Sequence, residues 1–593
     1  MTPAASPAKA AGPLSEEQLA RLKDWTKRFP HPSMGLLEAL RDVQAWFRHI
    51  PLEVEPTMAE LFRVPLHQVR EVVTFYPFFT TRPAAKHRIA VCRNLSCTLA
   101  GCGKALSHLG ERLGVPQGKV TDDGLFEYHA VECLGACEHG PALSVNDELL
   151  GSATPERLDQ VLDAGRSGKP LEAPASVAVP TKPVPPGSVI LTRFFHEPEL
   201  HRLATYKRLG GYAAWEKAKG MAPAAIIDEV KKSNLRGLGG AGFPVGMKWG
   251  TVPLKKDRDV PHFLVANADE SEPGCFKDRV LMERNPHALV EGLMIAARAV
   301  EADHVFVFIR GEYSRQLRIL QAAAEEARGA GLLEKPIQFM RGADAYISGC
   351  DTALLETMEG KKAWPRQPPP FPTIAGVMGC PTVVNNVETL MMVPSVLTMG
   401  ADSFAGLGAP KSGGTAVFSV SGHVERPGVY ELPMGTPLMD LIALAGGVRG
   451  GKKLKAVIPG GTSTPILTAE EAGRAKMDFD SMRQVGSFLG AGGVIVLDES
   501  VDMAETLFII ERFLAHESCG QCTPCREGSG WTTRILERLL AGGGAPDDPA
   551  NLLRIGDNIT GKVICALGDT VGAVARAYLT KFPDDFKRKV ARG

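Results

Sequence analysis

The sequence predicts a multidomain α/β protein, and three observations lead there. A chain of 593 residues exceeds what one hydrophobic core can organise, which suggests about three to five domains. Hydrophobic periodicity switches repeatedly between the strand and helix kinds. The twelve cysteines gather mainly in two groups near opposite ends of the chain. The 67 basic residues balance 67 acidic ones, with 44% hydrophobic and 23% charged positions, so no basic excess points to nucleic acid. No run approaches the roughly 18 apolar residues of a membrane span. The Ala- and Pro-rich stretch 1–13 lacks the apolar centre of a signal peptide, so a cytoplasmic protein is expected.

A leader without order is expected at 1–14. Ser15 with Gln18 fits a capping box, and Leu36, Leu37, Leu40, Val43 and Phe47 recur at helical spacing, so 15–80 reads as helical, its short helices reaching about Val73. In 86–165, short strands at 88–91 and 142–145 alternate with a helix near 104–113, with the cysteines at strand ends and loops. Six prolines between Pro170 and Pro186 predict a stiff linker over 166–188, dividing the chain into two independent parts. Residues 189–400 hold the largest core, with strand-loop-helix alternation after the glycine-rich 236–246. In 413–500, a hairpin formed by 415–422 and 428–432 and a helix at 437–445 closed by Gly446-Gly447 suggest a β-grasp-like module. The spacing of Ile535, Leu536, Leu539 and Leu540 marks 501–593 as a helical cap.

Cys519-Gly-Gln-Cys522-Thr-Pro-Cys525 places three thiolates on one tight loop, and Cys565 adds a distant fourth. That grouping suits a [4Fe-4S] cubane; structural zinc is the rival, although zinc more often takes two paired knuckles. The helix after Cys525 is expected to aim its amides at the anionic cluster. At the front, Cys92-x4-Cys97 and Cys133-x3-Cys137 form two pairs that suit a [2Fe-2S] rhomb, one iron per pair. Cys102 reads as an ordinary buried residue.

Gly237-Leu238-Gly239-Gly240-Ala241-Gly242 contains a formal G-x-G-x-x-G, yet a helix at 224–235 precedes it where a dinucleotide fingerprint needs a strand. What survives is a backbone able to approach a phosphate or flat ring closely, the alternative being a merely mobile loop. Asn267-Ala268-Asp269-Glu270-Ser271-Glu272 follows the apolar run 263–266, so polar groups emerge at a strand's C-terminal end, where α/β proteins bind ligands.

Together, five motifs resemble the NADH-dehydrogenase module of respiratory complex I: Val131-Glu132-Cys133-Leu134-Gly135-Ala136-Cys137, the glycine loop through Pro244, 267–274, Pro381-Thr382-Val383-Val384-Asn385-Asn386-Val387-Glu388-Thr389, and 517–528. The front part resembles its small thioredoxin-like [2Fe-2S] subunit, and the second part its FMN-carrying [4Fe-4S] subunit with a β-grasp-like (SLBB) domain. The two are fused as in the diaphorase subunit of NAD-reducing hydrogenases. The resemblance implies FMN, [2Fe-2S], [4Fe-4S] and NAD(H) as cofactors, with hydride passing from NADH to FMN and single electrons onward through [4Fe-4S]. It implies that Gly237, Gly239, Gly240 and Lys248 hold the flavin phosphate, and that Asn267, Asp269, Glu270, Asn385 and Asn386 hold the flavin. Phe243, Glu272 and Phe371 would face the nicotinamide nucleotide, with Tyr346 and Gly349 also at the cofactor and Glu272 and Asp351 as the catalytic acids. It assigns Cys92, Cys97, Cys133, Cys137, Cys519, Cys522, Cys525 and Cys565 to iron. It also implies an iron–sulfur acceptor subunit as partner, either of complex I or of a soluble hydrogenase or formate dehydrogenase, with any membrane contact made through the complex on its inner face.

The chain departs from the family on the nucleotide side. Tyr346-Ile347-Ser348-Gly349-Cys350-Asp351 stands where the family has Tyr-Ile-Cys-Gly-Glu-Glu, Pro368 replaces a lysine, and Leu238 replaces an arginine. Losing a carboxylate near a ribose relaxes preference for NADH over NADPH unless Asp351 and Arg366 compensate. A flavin and iron–sulfur relay without a nucleotide site is a further reading.

Overall fold

The computed structural model describes residues 13–170, 188–255 and 259–590. The expected leader up to residue 12 and the expected linker from 171 to 187 lie outside them. Ser15 closes the capping box that starts helix Glu16–Arg28, and helices Leu36–Phe47, Glu55–Phe62 and Leu66–Phe75 follow. A four-stranded sheet comes next, built from β1 (His87–Cys92), β2 (Phe126–Val131), β3 (Ala142–Val145) and β4 (Glu148–Ser152), in the order β2-β1-β3-β4. β1 pairs parallel with β2 and antiparallel with β3. Helix Cys102–Leu113 packs on β1, and helix Pro155–Ser167 packs on that helix. The latter runs through the first two residues of the expected linker, because Gly168 in the left-handed conformation supplies its stop there.

The central sheet is wholly parallel, with β5 (Phe263–Ala268), β6 (His304–Ile309), β7 (Ile337–Arg341) and β8 (Thr382–Asn386) in the order β7-β6-β5-β8. Such a sheet must be covered on both faces. Leu264, Ala266, Val305 and Val307 share one core with helices Pro286–Ala299 and Val387–Met399. Alternate residues Phe263, Val265, Phe306 and Phe308 belong to another core, together with Leu36, Leu37 and Leu40 of the N-terminal region. Phe29 stacks on Phe306 with ring centres 6.2 Å apart, and Glu38 accepts from the Arg341 amide at 3.0 Å and from its guanidinium. The front of the chain therefore covers a face of the central sheet, and the two parts are not independent as the proline-rich linker suggested. Proline content reports on the connection; the unsatisfied sheet face decides the packing.

The β-grasp module has β9 (Thr415–Gly422), β10 (Gly428–Pro433), β11 (Leu454–Ile458), β12 (Leu467–Thr468) and β13 (Gly493–Asp498) in the order β10-β9-β13-β11-β12. β9 and β10 form the expected antiparallel hairpin, followed by helix Leu438–Leu444. The C-terminal cap is a bundle of helices Met503–Glu517, Thr523–Leu540, Asp548–Ile559 and Ala566–Lys581. Among the described residues, no helix is long and apolar enough to cross a membrane.

Candidate functional site

The ends of β5 and β8 open onto a cavity of about 860 Å³. Its wall is formed by the glycine loop, the acidic loop after β5, the Tyr346–Gly349 turn, and Asn385 and Asn386 at the end of β8. Ser463, Phe479, Arg483, Phe488 and Leu489 of the β-grasp module complete one side, and Thr560, Cys565 and Leu567 of the helical cap complete another. The glycines are there for space: a Cβ on Gly239 would stand 2.9 Å from Asn386, and one on Gly242, at φ +66, would stand 2.5 Å from the Phe479 ring. The backbone of this loop is therefore bare toward the cavity, a surface a phosphate or flat ring can approach.

All cofactor and catalytic residues expected from the sequence line this cavity except Phe371, which is 60% exposed outside it. Phe371 lies in the 368–372 Pro-rich turn, whose aromatic the sequence could name but not aim. Lys248 donates to Asp351 at 2.8 Å and to the Val384 carbonyl at 2.6 Å, so the expected phosphate cation and the expected catalytic acid form one pair at the cavity wall. Glu272 accepts from the Tyr346 hydroxyl at 2.6 Å and the Ser463 amide at 2.8 Å, and burial raises its pKa above the ordinary carboxylate range. Burial likewise pushes Asp269 and Glu270 up to about 7.

Several of these polar groups also hold the scaffold. Glu270 accepts from the Asp278 and Arg279 amides at 2.9 Å each, capping helix Lys277–Arg284. Asn386 caps helix Val387–Met399 through the Thr389 amide and donates to Asp278 at 2.6 Å. Trp249 donates to Asn385 at 2.8 Å, and Asn267 donates to the Gly349 carbonyl at 2.9 Å. These contacts fix the loop shapes first, leaving the remaining polar atoms to face a ligand. Cys350 lines the cavity beside Asp351, whereas Arg366 is bound to Glu356 and Glu359 and lies outside it.

The front cysteines form one buried group, with Cys92 in side-chain contact with Cys97 and Cys133, and Cys133 with Cys137. The amides of Gly135 and Ala142 point at the sulfurs of Cys133 and Cys97, at 3.3 and 3.4 Å, the kind of donation that stabilises cluster thiolates. Cys97 sits in the short helix Leu95–Leu99 rather than in a loop, and Cys102 is buried in the same core, 3.7 Å from the Thr98 hydroxyl. In the rear group, Cys525 lies in the first turn of helix Thr523–Leu540 rather than before it, because Pro524 favours a first-turn position. Cys565 occupies the cap position of helix Ala566–Lys581. Two positive helix ends thus meet at these thiols, suited to an anionic cluster. The donor sets are thiol quartets, which fit iron–sulfur clusters.

Cys565 lines the cavity itself, while the Cys133–Cys137 loop lies behind Glu270, bound by Arg279 and Arg310, with Tyr313 donating to Glu270. Sequence reading missed these three residues, along with Phe479, Phe488 and Arg483. No local motif marks them, because their partners lie far along the chain.

Residues 22–166 match the family model of the thioredoxin-like [2Fe-2S] ferredoxin, 230–395 that of the Nuo51 FMN-binding domain, 417–467 the SLBB domain, and 505–589 the NADH-ubiquinone oxidoreductase-F iron-sulfur binding region. The NADH-quinone oxidoreductase F subunit 2 of Rhizobium meliloti (strain 1021) is 48% identical over 408 residues, covering 67% of this chain and 96% of the relative. The NADH-quinone oxidoreductase F subunit of Mycobacterium bovis (strain ATCC BAA-935 / AF2122/97) is 45% identical over 422 residues, covering 69% and 95%. Among solved structures, a chain of NAD+-reducing [NiFe]-hydrogenase in the H2-reduced state superposes with a TM-score of 0.83 at 30% identity, covering 95% of this chain and 94% of that one. The air-oxidized state gives 0.82 at 30% identity.

Proposed function

We propose, because this chain belongs to the F-subunit family of NADH-quinone oxidoreductases, that it is an NADH-oxidising electron-input subunit carrying FMN, [4Fe-4S] and [2Fe-2S] groups. The observation that carries this reading is the meeting of three parts at one cavity: the bare glycine loop, the acidic loop, and Cys565 of the rear thiol quartet. FMN, when bound, supplies the conversion of a two-electron hydride donor into single-electron transfers. The glycine backbone and Lys248 would hold the phosphate end of FMN, and Asn267, Asp269, Asn385 and Asn386 would hold the flavin. Glu272, oriented by Tyr346 and Ser463, faces the nucleotide; Asp351 keeps Lys248 in place. Ser463 and Phe479 of the β-grasp module and Thr560 and Leu567 of the helical cap wall the cavity, and Cys565 of the rear thiols lines it. Anaerobic stopped-flow bleaching of the flavin by NADH tests this, with FMN and about six irons per chain quantified. Absence of bleaching in fully loaded protein would leave only a relay without a nucleotide site.

The partner is an iron–sulfur acceptor subunit, and quinone-reducing complex I is the first reading, which places the chain in the cytoplasm or peripherally at the inner membrane face. The diaphorase of a soluble NAD-linked hydrogenase is favoured by one observation: the hydrogenase chain matches 95% of this chain, the front part included, whereas the Rhizobium meliloti relative covers 67%. Isolation of the native complex separates the two, since a nickel-containing subunit marks the hydrogenase and membrane subunits mark complex I.

A further inference from the structure

Arg310 follows β6 and is 4% exposed. Its Nη1 donates to the Glu270 carbonyl at 2.7 Å and its Nη2 to the Cys133 carbonyl at 2.7 Å, so one guanidinium joins the acidic loop of the cavity to the loop carrying two front thiols. The fit there is close. Gly135, between the two cysteines, has φ +62, and a Cβ on it would stand 2.3 Å from the Tyr313 hydroxyl and 3.2 Å from Arg310 Nη1. Tyr313 in turn donates to the Glu270 carboxylate at 3.1 Å. Among the described residues, Glu312 alone offsets the Arg310 charge by direct ion pairing, and Arg310 Nε has no hydrogen-bond partner there.

We propose that Arg310 is a positioning residue for the front cluster: it fixes the Cys133–Cys137 loop against the acidic loop and sets the cluster's reduction potential. The inference rests on the cluster assignment proposed above. An added electron makes a thiolate-ligated cluster more negative, and a guanidinium beside Cys133 in a dry interior favours that state. The Glu312 carboxylate on the same guanidinium opposes it. A purely structural role would change melting behaviour and leave the potential where it is.

The test is an electron-paramagnetic-resonance redox titration of the full chain, isolated anaerobically with both clusters. At a fixed poise, Arg310→Gln is expected to lower the reduced-to-oxidised ratio of the two-iron signal about tenfold, equivalent to about 59 mV for one electron. The four-iron signal should not move. Arg310→Lys, which keeps the charge, should recover most of the ratio, and Glu312→Gln should shift it the other way. If Arg310→Gln does not fold, the Lys and Glu312 variants decide. Unmoved two-iron midpoints, or equal shifts at both clusters, overturn the proposal. A two-iron signal missing from the unaltered protein overturns the cluster assignment and the proposal with it.

Discussion

Replacing Tyr346 with phenylalanine removes the 2.6 Å hydrogen bond to Glu272 and leaves the Ser463 amide as that carboxylate's principal donor. A hydrogen bond to a charged group contributes about 1.5–3 kcal/mol. At about 1.4 kcal/mol per pKa unit, its loss raises the Glu272 pKa by about 1–2 units, on top of the upward push from burial. The sign follows for stability: a carboxyl that binds its proton more tightly in the folded protein loses stability as pH rises from the unfolded value through the folded one. The variant is therefore weakened mainly at neutral and alkaline pH. If the ionised carboxylate serves the nucleotide, the acid limb of kcat/KM for NADH moves upward by the same 1–2 units. NADH-dependent reduction of ferricyanide across pH 5 to 9, normalised to bound FMN, measures it. An unmoved acid limb with full flavin content would refute the reasoning and remove Glu272 from the catalytic reading.

Cys565→Ser should lose about four irons per chain while Cys350→Ser keeps them, measured by iron and sulfide analysis; equal losses would place Cys350 in the cluster. Gly239→Ala forces a Cβ to 2.9 Å from Asn386, an overpacking cost of about 1–3 kcal/mol, and should lower flavin per chain at least severalfold by absorbance. Residues 1–168 and 188–593 produced as separate chains should co-purify, because Glu38, Arg41 and Phe29 bind the central sheet; separation on gel filtration would contradict the shared core. His287 is fully buried, and burial pushes it down to about 4, so the unfolded chain binds the extra proton between about 6.5 and 4. Stability should fall by about 3 kcal/mol as pH drops through that window, and His287→Gln should flatten the slope in urea titrations.

The thiol quartets, the glycine loop and the acidic loop were legible because each is local: a few residues at fixed spacing carry the chemistry, and spacing is what a sequence displays. The same locality made the capping box at Ser15 and the hairpin of β9 and β10 readable. Phe371 lies outside the cavity, and an aromatic in a proline-rich turn carries no sequence signal of the direction it faces. Arg366 pairs with Glu356 and Glu359, which no local motif foretells. What the sequence by itself determined, then, was the inventory of chemical groups and the order of the modules. Tertiary structure decided that the front helices cover a face of the central sheet, that Cys565 reaches the cavity, and that Arg310 ties Cys133 to Glu270. Those contacts arise from burying sheet faces and pairing buried charges between segments distant along the chain, and no periodicity encodes which surfaces will meet.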